Sequence, residues 1–207
     1  GRDVELGRID PDVSALQRSL RREEWNVLLF IGKAASRTPE DDAGLVFQDD
    51  RGSSRYVSHS DLGVLLRDVR LQLVILDAAG DAVSRDIAGA VPQAVADGLV
   101  RAGVPAVIAT SAPLGDEARA VLLGTLFGAL TDGEPIERAL GEARKALYTD
   151  GDLASALILT LHTRLADMRL LAEESLPEIV AQPGRSVLEE LSRPPGAALA
   201  PEILRLE

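Results

Sequence analysis

Residues 25–34 have the sequence WNVLLFIGKA, and they begin with a nearly continuous apolar run from Trp25 to Ile31 that has the length of a β-strand. The run lacks the alternation of a strand with one wet face, which indicates a central strand buried on both faces of a parallel sheet. Similar runs follow at 71–76 (LQLVIL) and 104–110 (VPAVIAT), with segments of helical periodicity between them. This alternation predicts βαβ units and a three-layer α/β/α sandwich around a mainly parallel sheet.

Helical spacing, turn residues and capping signals predict the other elements. We expect helices over residues 11–23, 62–66 (capped by Ser60 or Asp61), 92–102, 115–130, 135–148 and 164–175, and a final strand over 155–161. Residues 45–57 predict a β-hairpin around a turn that contains Gly52. After Pro183 the chain is punctuated by proline and glycine, which favours a tail or a partner-docking segment. We therefore divide the chain into a domain over 1–163 and a C-terminal helical extension and tail over 164–207.

The composition excludes several classes of function. The 207 residues suit one domain, and a formal net charge of −11 disfavours nucleic acid and membrane surfaces as partners. The chain has no cysteine, and its two histidines, His59 and His162, are isolated, so we expect no disulfide, metal or other cofactor. No apolar run approaches the roughly 20 residues of a membrane helix, and no secretory signal is evident, so the expected location is the cytoplasm.

The carboxyl ends of two of the predicted strands are the places where functional groups are expected in an open α/β sheet. The first end carries Gly32 and Lys33, and the second carries Asp77, Gly80 and Asp81 around Ala79. If the two strands are neighbours, Lys33 and Ala79 face each other across one crevice. Gly32, Lys33, Asp77, Gly80 and Asp81 are therefore the candidate binding residues.

The order of these motifs resembles the caspase-like CHAT family of cysteine peptidases. That family has a strand that ends in His-Gly after Phe-x-Gly and another that ends in Ala-Cys followed by small residues. WNVLLFIGKA (25–34) is similar to the first motif and LVILDAAGDA (73–82) to the second. Residues 44–66, 97–110 and 132–147 resemble the family's hairpin with its following helix, its helix–strand unit and its late helix. The resemblance covers roughly residues 12–161.

Two departures from the family pattern decide the functional interpretation. Lys33 stands where the resemblance implies the catalytic histidine, and Ala79 stands where it implies the nucleophilic cysteine. A cysteine peptidase requires a thiolate and an imidazole that activates it and protonates the leaving amine. Neither His59 nor His162 matches a catalytic position of the family. The sequence therefore predicts a caspase-like fold without protease chemistry.

The roles of Asp77 and Lys33 have two interpretations each. In related peptidases with Arg or Lys preference, an acid two residues before the nucleophile receives the basic side chain, whereas a strand-end carboxylate bonded to nearby backbone amides is the structural alternative. Lys33 either enters the vacated crevice and pairs with Asp77 or Asp81, or is a solvated loop lysine.

Three hypotheses about function follow. The first is a pseudopeptidase that acts as a protein-binding or regulatory module, since the resemblance implies bacterial signalling and defence systems; its partner is a protein. The second is a cysteine endopeptidase whose nucleophile has been replaced by Ala79. The third is a different enzyme that uses Lys33 as a nucleophile. The crevice and the apolar residues of 164–207 are the candidate interaction surfaces.

Overall fold

The computed structural model describes residues 4–36, 43–49, 51–81, 89–170 and 202–206, with the backbone alone for 4–6, 81 and 202–206. The strands are β1 Val4–Arg8, β2 Val27–Ala35, β3 Gly44–Gln48, β4 Ser54–Ser58, β5 Leu73–Asp81, β6 Ala106–Thr110, β7 Leu159–Thr163 and β8 Glu202–Leu206. The helices are α1 Val13–Arg22, α2 His59–Leu66, α3 Ala90–Ala102, α4 Asp116–Thr131, α5 Ile136–Thr149 and α6 Leu153–Leu157.

One central sheet organises these elements, in the strand order β1-β8-β2-β5-β6-β7. Strands β2, β5 and β6 are parallel neighbours, as their continuous apolar runs predict. Strand β7 continues the sheet antiparallel to β6, and β8 lies antiparallel between β2 and β1. Four of the six strands (β1, β2, β5 and β6) therefore point in one direction. The β3–β4 hairpin pairs with the carboxyl end of β2.

Apolar side chains leave both faces of the sheet and divide the core into two layers. Leu28, Phe30, Val74 and Leu76 pack on one face against α1, α2 and α3. Alternate residues of the same strands, such as Val27, Leu29, Leu73 and Ile75, pack on the other face against α4 and α5. Both faces of β2 and β5 are covered, which confirms the predicted three-layer α/β/α sandwich.

Capping residues set the ends of several helices. The Asp12 carboxylate accepts hydrogen bonds from the backbone N–H groups of Ser14 and Ala15 at the start of α1. Helix α3 ends at Gly103, whose φ of 122° lies in the region that favours glycine. Helix α2 begins at His59, one turn earlier than predicted, because the Ser58 hydroxyl accepts a hydrogen bond from the N–H of Asp61.

The C-terminal part of the chain departs most from the sequence predictions. The strand predicted over 155–161 is wrong in its first half, because Asp152 caps Ser155 and residues Leu153–Leu157 form α6. The strand β7 follows only from Leu159. No helix forms within 164–170, where one was predicted, and the rest of that prediction lies outside the described residues. Strands β1 and β8 were not predicted. The division of the chain at residue 163 stays a prediction.

Candidate functional site

The carboxyl ends of β2 and β5 lie side by side, as expected for neighbouring parallel strands. In their register Lys33 is opposite Ala79, Ile31 is opposite Asp77, and Ala35 is opposite Asp81. Because side chains alternate along a strand, Lys33, Asp77 and Ala79 project from the face that α4 and α5 cover. Lys33 is exposed and Ala79 is half-buried. The predicted apposition of Lys33 and Ala79 is therefore confirmed by the register, and the crevice between them stays a prediction.

Asp77 lies two residue pairs deeper in the sheet than Lys33 and Ala79 and is almost completely buried, with 2% of its surface exposed. Its Oδ1 accepts a hydrogen bond of 2.8 Å from the backbone N–H of Leu114. Its Oδ2 accepts one of 2.5 Å from Nε of Arg119, in the first turn of α4. The carboxylate thus links the end of β5 to the loop that precedes α4 and to α4 itself.

Arg119 completes a closed network around this carboxylate. Its Nη2 donates to the carbonyl oxygen of Leu114 at 2.8 Å, and its Nη1 donates to Oδ1 of Asp116 at 2.6 Å. Burial of the guanidinium would by itself lower the pKa of Arg119, but the charge and hydrogen bond of Asp77, with a smaller part from Asp116, raise that pKa above its ordinary value. The Asp77 carboxylate therefore more than offsets the effect of burial on this guanidinium.

Asp77 was interpreted either as a pocket for a basic side chain or as a strand-end carboxylate bonded to backbone amides, and its contacts in this structure are those of the second. The carboxylate bonds to a nearby backbone amide, as the structural interpretation expects, and its ion-pair partner is the chain's own Arg119. Among the described side chains no ion pair joins Lys33 to Asp77, and Lys33 is exposed, as the interpretation of a solvated lysine expects. The pairing of Lys33 with Asp81 stays a prediction, because the side chain of Asp81 is outside the described residues.

Both imidazoles lie on the opposite face of the sheet. His59 begins α2, where its Nδ1 lies 3.0 Å from the carbonyl oxygen of Ala43 and its ring packs against Gly98 of α3. His162 is opposite Val107 in the β6–β7 register, and its Nε2 lies 2.9 Å from Oε1 of Gln93 on α3. The sheet backbone separates these two rings from Ala79. Neither histidine of the chain can serve as a base at that position in this fold.

The two remaining candidate residues are the glycines at the ends of β2 and β5, Gly32 and Gly80. Gly32 and Gly80 occupy the alternate positions of β2 and β5, so they belong to the face that α1, α2 and α3 cover. A Cβ at Gly32 would lie 2.9 Å from the ring of Phe30, which explains a glycine there.

The described residues include no group of three or more potential metal ligands. No helix among them has the length and apolar character needed to cross a bilayer.

A comparison with protein families matches residues 6–176 to the CHAT domain. The chain belongs to the CHAT domain family. The match covers the sheet from β1 to β7 and the helices on both of its faces, and the α/β architecture is consistent with the caspase-like fold that the motifs of β2 and β5 led us to expect. No curated protein matches the chain.

Sequence reasoning missed Arg119, which is the main partner of a candidate residue. Two signals pointed to it. An acid at the end of a buried strand requires a cation or several donors, and the spacing of Asp116 and Arg119 places both side chains on one face of the first turn of α4. What the sequence lacked was the contact between β5 and α4, which are 42 residues apart at the bonded pair.

Proposed function

We propose that this CHAT domain is a catalytically inactive, caspase-like pseudopeptidase that serves as a protein-binding or regulatory module in a bacterial signalling or defence system, with the cytoplasm as its expected location. One observation carries the proposal. At the paired ends of β2 and β5, the residues that face each other are Lys33 and Ala79.

This pair lacks the atoms that the cysteine-peptidase reaction needs. A methyl group cannot attack a carbonyl carbon, and a lysine side chain has no imidazole to activate a nucleophile and protonate the leaving amine. The absence of cysteine from the chain and the position of both histidines across the sheet support the same conclusion. In this proposal Lys33 and Ala79 mark the degenerate dyad.

The binding role is supported by what remains at the crevice. Lys33 is exposed at the rim, opposite Val46 in the middle of the hairpin strand β3. Within the C-terminal segment, Leu170 is buried against the domain's own α4–α5 layer, so at least this residue covers the domain instead of a partner. We therefore place the first candidate contact surface at the crevice and the second within the remainder of 164–207.

Charge reversal of Lys33 tests the binding role. The chain has two lysines, Lys33 and Lys145, and Lys145 is an exposed residue of α5 whose ammonium pairs with Glu142, which makes Lys145→Glu a matched control. We expect Lys33→Glu to lose a specific protein from affinity capture that wild type and Lys145→Glu retain. Identical captured proteins for all three forms would remove the crevice from the proposal.

A cysteine endopeptidase whose nucleophile has been replaced is the second candidate. It is favoured by Asp77, an acid retained two residues before Ala79, and by the direct apposition of positions 33 and 79. The test is cleavage of a peptide library by wild type, Ala79→Cys and the double variant Ala79→Cys/Lys33→His. The pseudopeptidase proposal expects no sequence-specific cleavage by wild type or Ala79→Cys. Cleavage by Ala79→Cys alone would favour the endopeptidase.

A further inference from the structure

A small cleft opens between the end of α2 and the end of α3. Its volume is about 50 Å³, and its wall includes Gly103, the guanidinium-bearing residue Arg67 and the aliphatic residues Leu66, Val69, Leu71 and Val104. An apolar cavity that binds benzene measures about 150 Å³. The cleft therefore suits the end of one aliphatic side chain and is too small for an aromatic ring.

The cleft lies at the end of the sheet away from Lys33 and Ala79. Leu71 and Val104 each precede the first residue of a parallel strand, β5 and β6 respectively, by two positions. The six residue steps from Leu73 to Ala79 span roughly 20 Å along β5. A short segment bound in the cleft would therefore leave the carboxyl ends of β2 and β5 uncovered.

Two arginine side chains lie beside the cleft without a partner. Arg67 lines it, and Nη1 of Arg164 lies 3.8 Å from the position that a Cβ at Gly103 would occupy. Within the described part of the chain neither guanidinium makes a hydrogen bond or an ion pair, whereas the nearby Arg70 and Arg101 are each paired with a carboxylate. In a chain with a net charge of −11, two sets of free donors thus meet at one small cleft.

The charges around the cleft favour an anion. The carbonyl groups at the end of α3 contribute about −0.5 elementary charge, which two guanidinium groups outweigh. Asp68 is exposed next to Arg67 in sequence but does not line the cleft. A carboxylate would receive from these arginines the charge-assisted hydrogen bonds that their planar geometry favours. Val64, which is 65% exposed one helical turn before Arg67, adds apolar surface beside them.

We propose that this cleft is a docking site for a segment of a partner protein in which an Asp or Glu side chain lies next to a Leu, Ile or Val side chain. The aliphatic group enters the cleft, and the carboxylate binds Arg67 and Arg164. The inference goes beyond the proposed function, because it names a second contact surface that does not depend on the loss of the catalytic dyad.

The experiment selects ligands from a library of short random peptides that are displayed with both ends attached to the carrier, so that only a side chain can supply a carboxylate. Selection is carried out on wild type, Arg67→Glu and Arg164→Glu. The matched control is Arg55→Glu, because Arg55 is an exposed arginine of β4 that does not line the cleft. The most enriched peptide is synthesised with blocked ends, together with one variant that has the acid replaced by its amide and one that has the aliphatic residue replaced by alanine.

We expect the enriched peptides to combine an acidic with an aliphatic residue. Each of the two charge reversals at the cleft should weaken binding in calorimetry roughly tenfold or more, because a charge-assisted hydrogen bond is lost, whereas Arg55→Glu should leave the affinity unchanged. Both peptide variants should also bind more weakly. In NMR spectra the peptide should shift the amide signals of Gly63 and Gly103 and leave that of Gly32, near the carboxyl end of β2, in place.

Three outcomes would overturn the docking site. The first is a selection that yields no peptide dependent on Arg67 and Arg164, and the second is equal affinity for the acid and the amide forms of the peptide. The third is a shift of the Gly32 signal in place of the Gly103 signal. Affinity capture with Lys33→Glu leaves this cleft intact, so the binding role of the crevice and the docking site can fail separately.

Discussion

The two faces of the central sheet carry different functional side chains. On the face under α4 and α5, the ends of β2 and β5 present Lys33 and Ala79 above the buried Asp77–Arg119 pair. On the face under α2 and α3 lie both histidines of the chain, His59 and His162. The face under α4 and α5 therefore carries the charged residues Lys33, Asp77 and Arg119, whereas both imidazoles of the chain lie on the other face.

This division explains why neither histidine can approach Ala79 by a local movement. A rotamer change moves a side chain by a few ångströms within its own layer, whereas the sheet backbone lies between the imidazoles and Ala79. The following predictions test how far the two faces differ in stability and in titration.

The largest expected effect is the loss of the buried ion pair under α4. Arg119→Ala leaves the Asp77 carboxylate buried and uncompensated, which we expect to lower the free energy of unfolding by about 3–5 kcal/mol. The matched control is Arg101→Ala, because Arg101 pairs with Asp97 on the exposed surface of α3, with side-chain exposures of 67% and 51%. The control should cost less than about 1 kcal/mol in urea denaturation. Equal losses for the two variants would contradict the inferred weight of Asp77.

The second effect concerns the other face, where α2 crosses α3 closely. A Cβ at Gly98 would collide with the ring of His59, so we expect Gly98→Ala to reduce the free energy of unfolding by about 1–3 kcal/mol through overpacking. Gly141 of α5 offers the control, because a Cβ there meets no heavy atom within 4 Å. Gly141→Ala should stabilise the chain by up to about 1 kcal/mol through helix propensity. The measurement is thermal denaturation of both variants. A Gly98→Ala variant more stable than wild type would contradict the close approach of Gly98 to the ring of His59.

A smaller effect is expected at the rim of the crevice. Lys33 is exposed and makes no ion pair with Asp77, so Lys33→Ala should change the free energy of unfolding by no more than about 0.5 kcal/mol. The measurement is urea denaturation at low and at high salt, since a hidden ionic contact would weaken with salt. A loss above about 1 kcal/mol that salt abolishes would show that Lys33 is held by an acid after all, and Asp81 would then be the first candidate.

The parallel centre of the sheet and the apposition at its strand ends could be predicted from the sequence. The apolar runs of β2, β5 and β6 predicted a parallel centre, because strands covered on both faces have such composition. Once those strands were neighbours, the apposition of Lys33 and Ala79 followed from the matching distance of each residue from the start of its run. Local patterns sufficed for both results.

Contacts between distant segments escaped the same reasoning. Arg119 reaches Asp77 across 42 residues, and its spacing from Asp116 indicates only a local pair within α4, so its contact with β5 could not be predicted from the pattern. Helix α6 was mistaken for a strand because SALILTL satisfies the apolar criterion for a strand, and the cap at Asp152 decided otherwise. The strand β8 depends on pairing with β1 and β2, partners that are distant in sequence.

The smallest expected effect is a pH dependence on the face with the histidines. Burial lowers the pKa of His162 from its ordinary value of 6.5, although the charge of Asp97 acts in the opposite direction. Because this pKa is lower in the folded chain than in the unfolded chain, the unfolded chain binds more protons between the two values. The contribution of His162 to stability is therefore constant above about pH 6.5, falls as the pH is lowered through that value, and levels off below the folded pKa.

The difference in melting temperature between wild type and His162→Gln, followed from pH 8 to pH 5, should narrow on acidification. An NMR titration of the His162 ring with a midpoint above 6.5 would contradict the inferred burial. Arg119 should add no such slope near pH 6.5, because its pKa is raised above an ordinary value that already lies far from this range, so the titration separates His162 from the buried guanidinium on the other face.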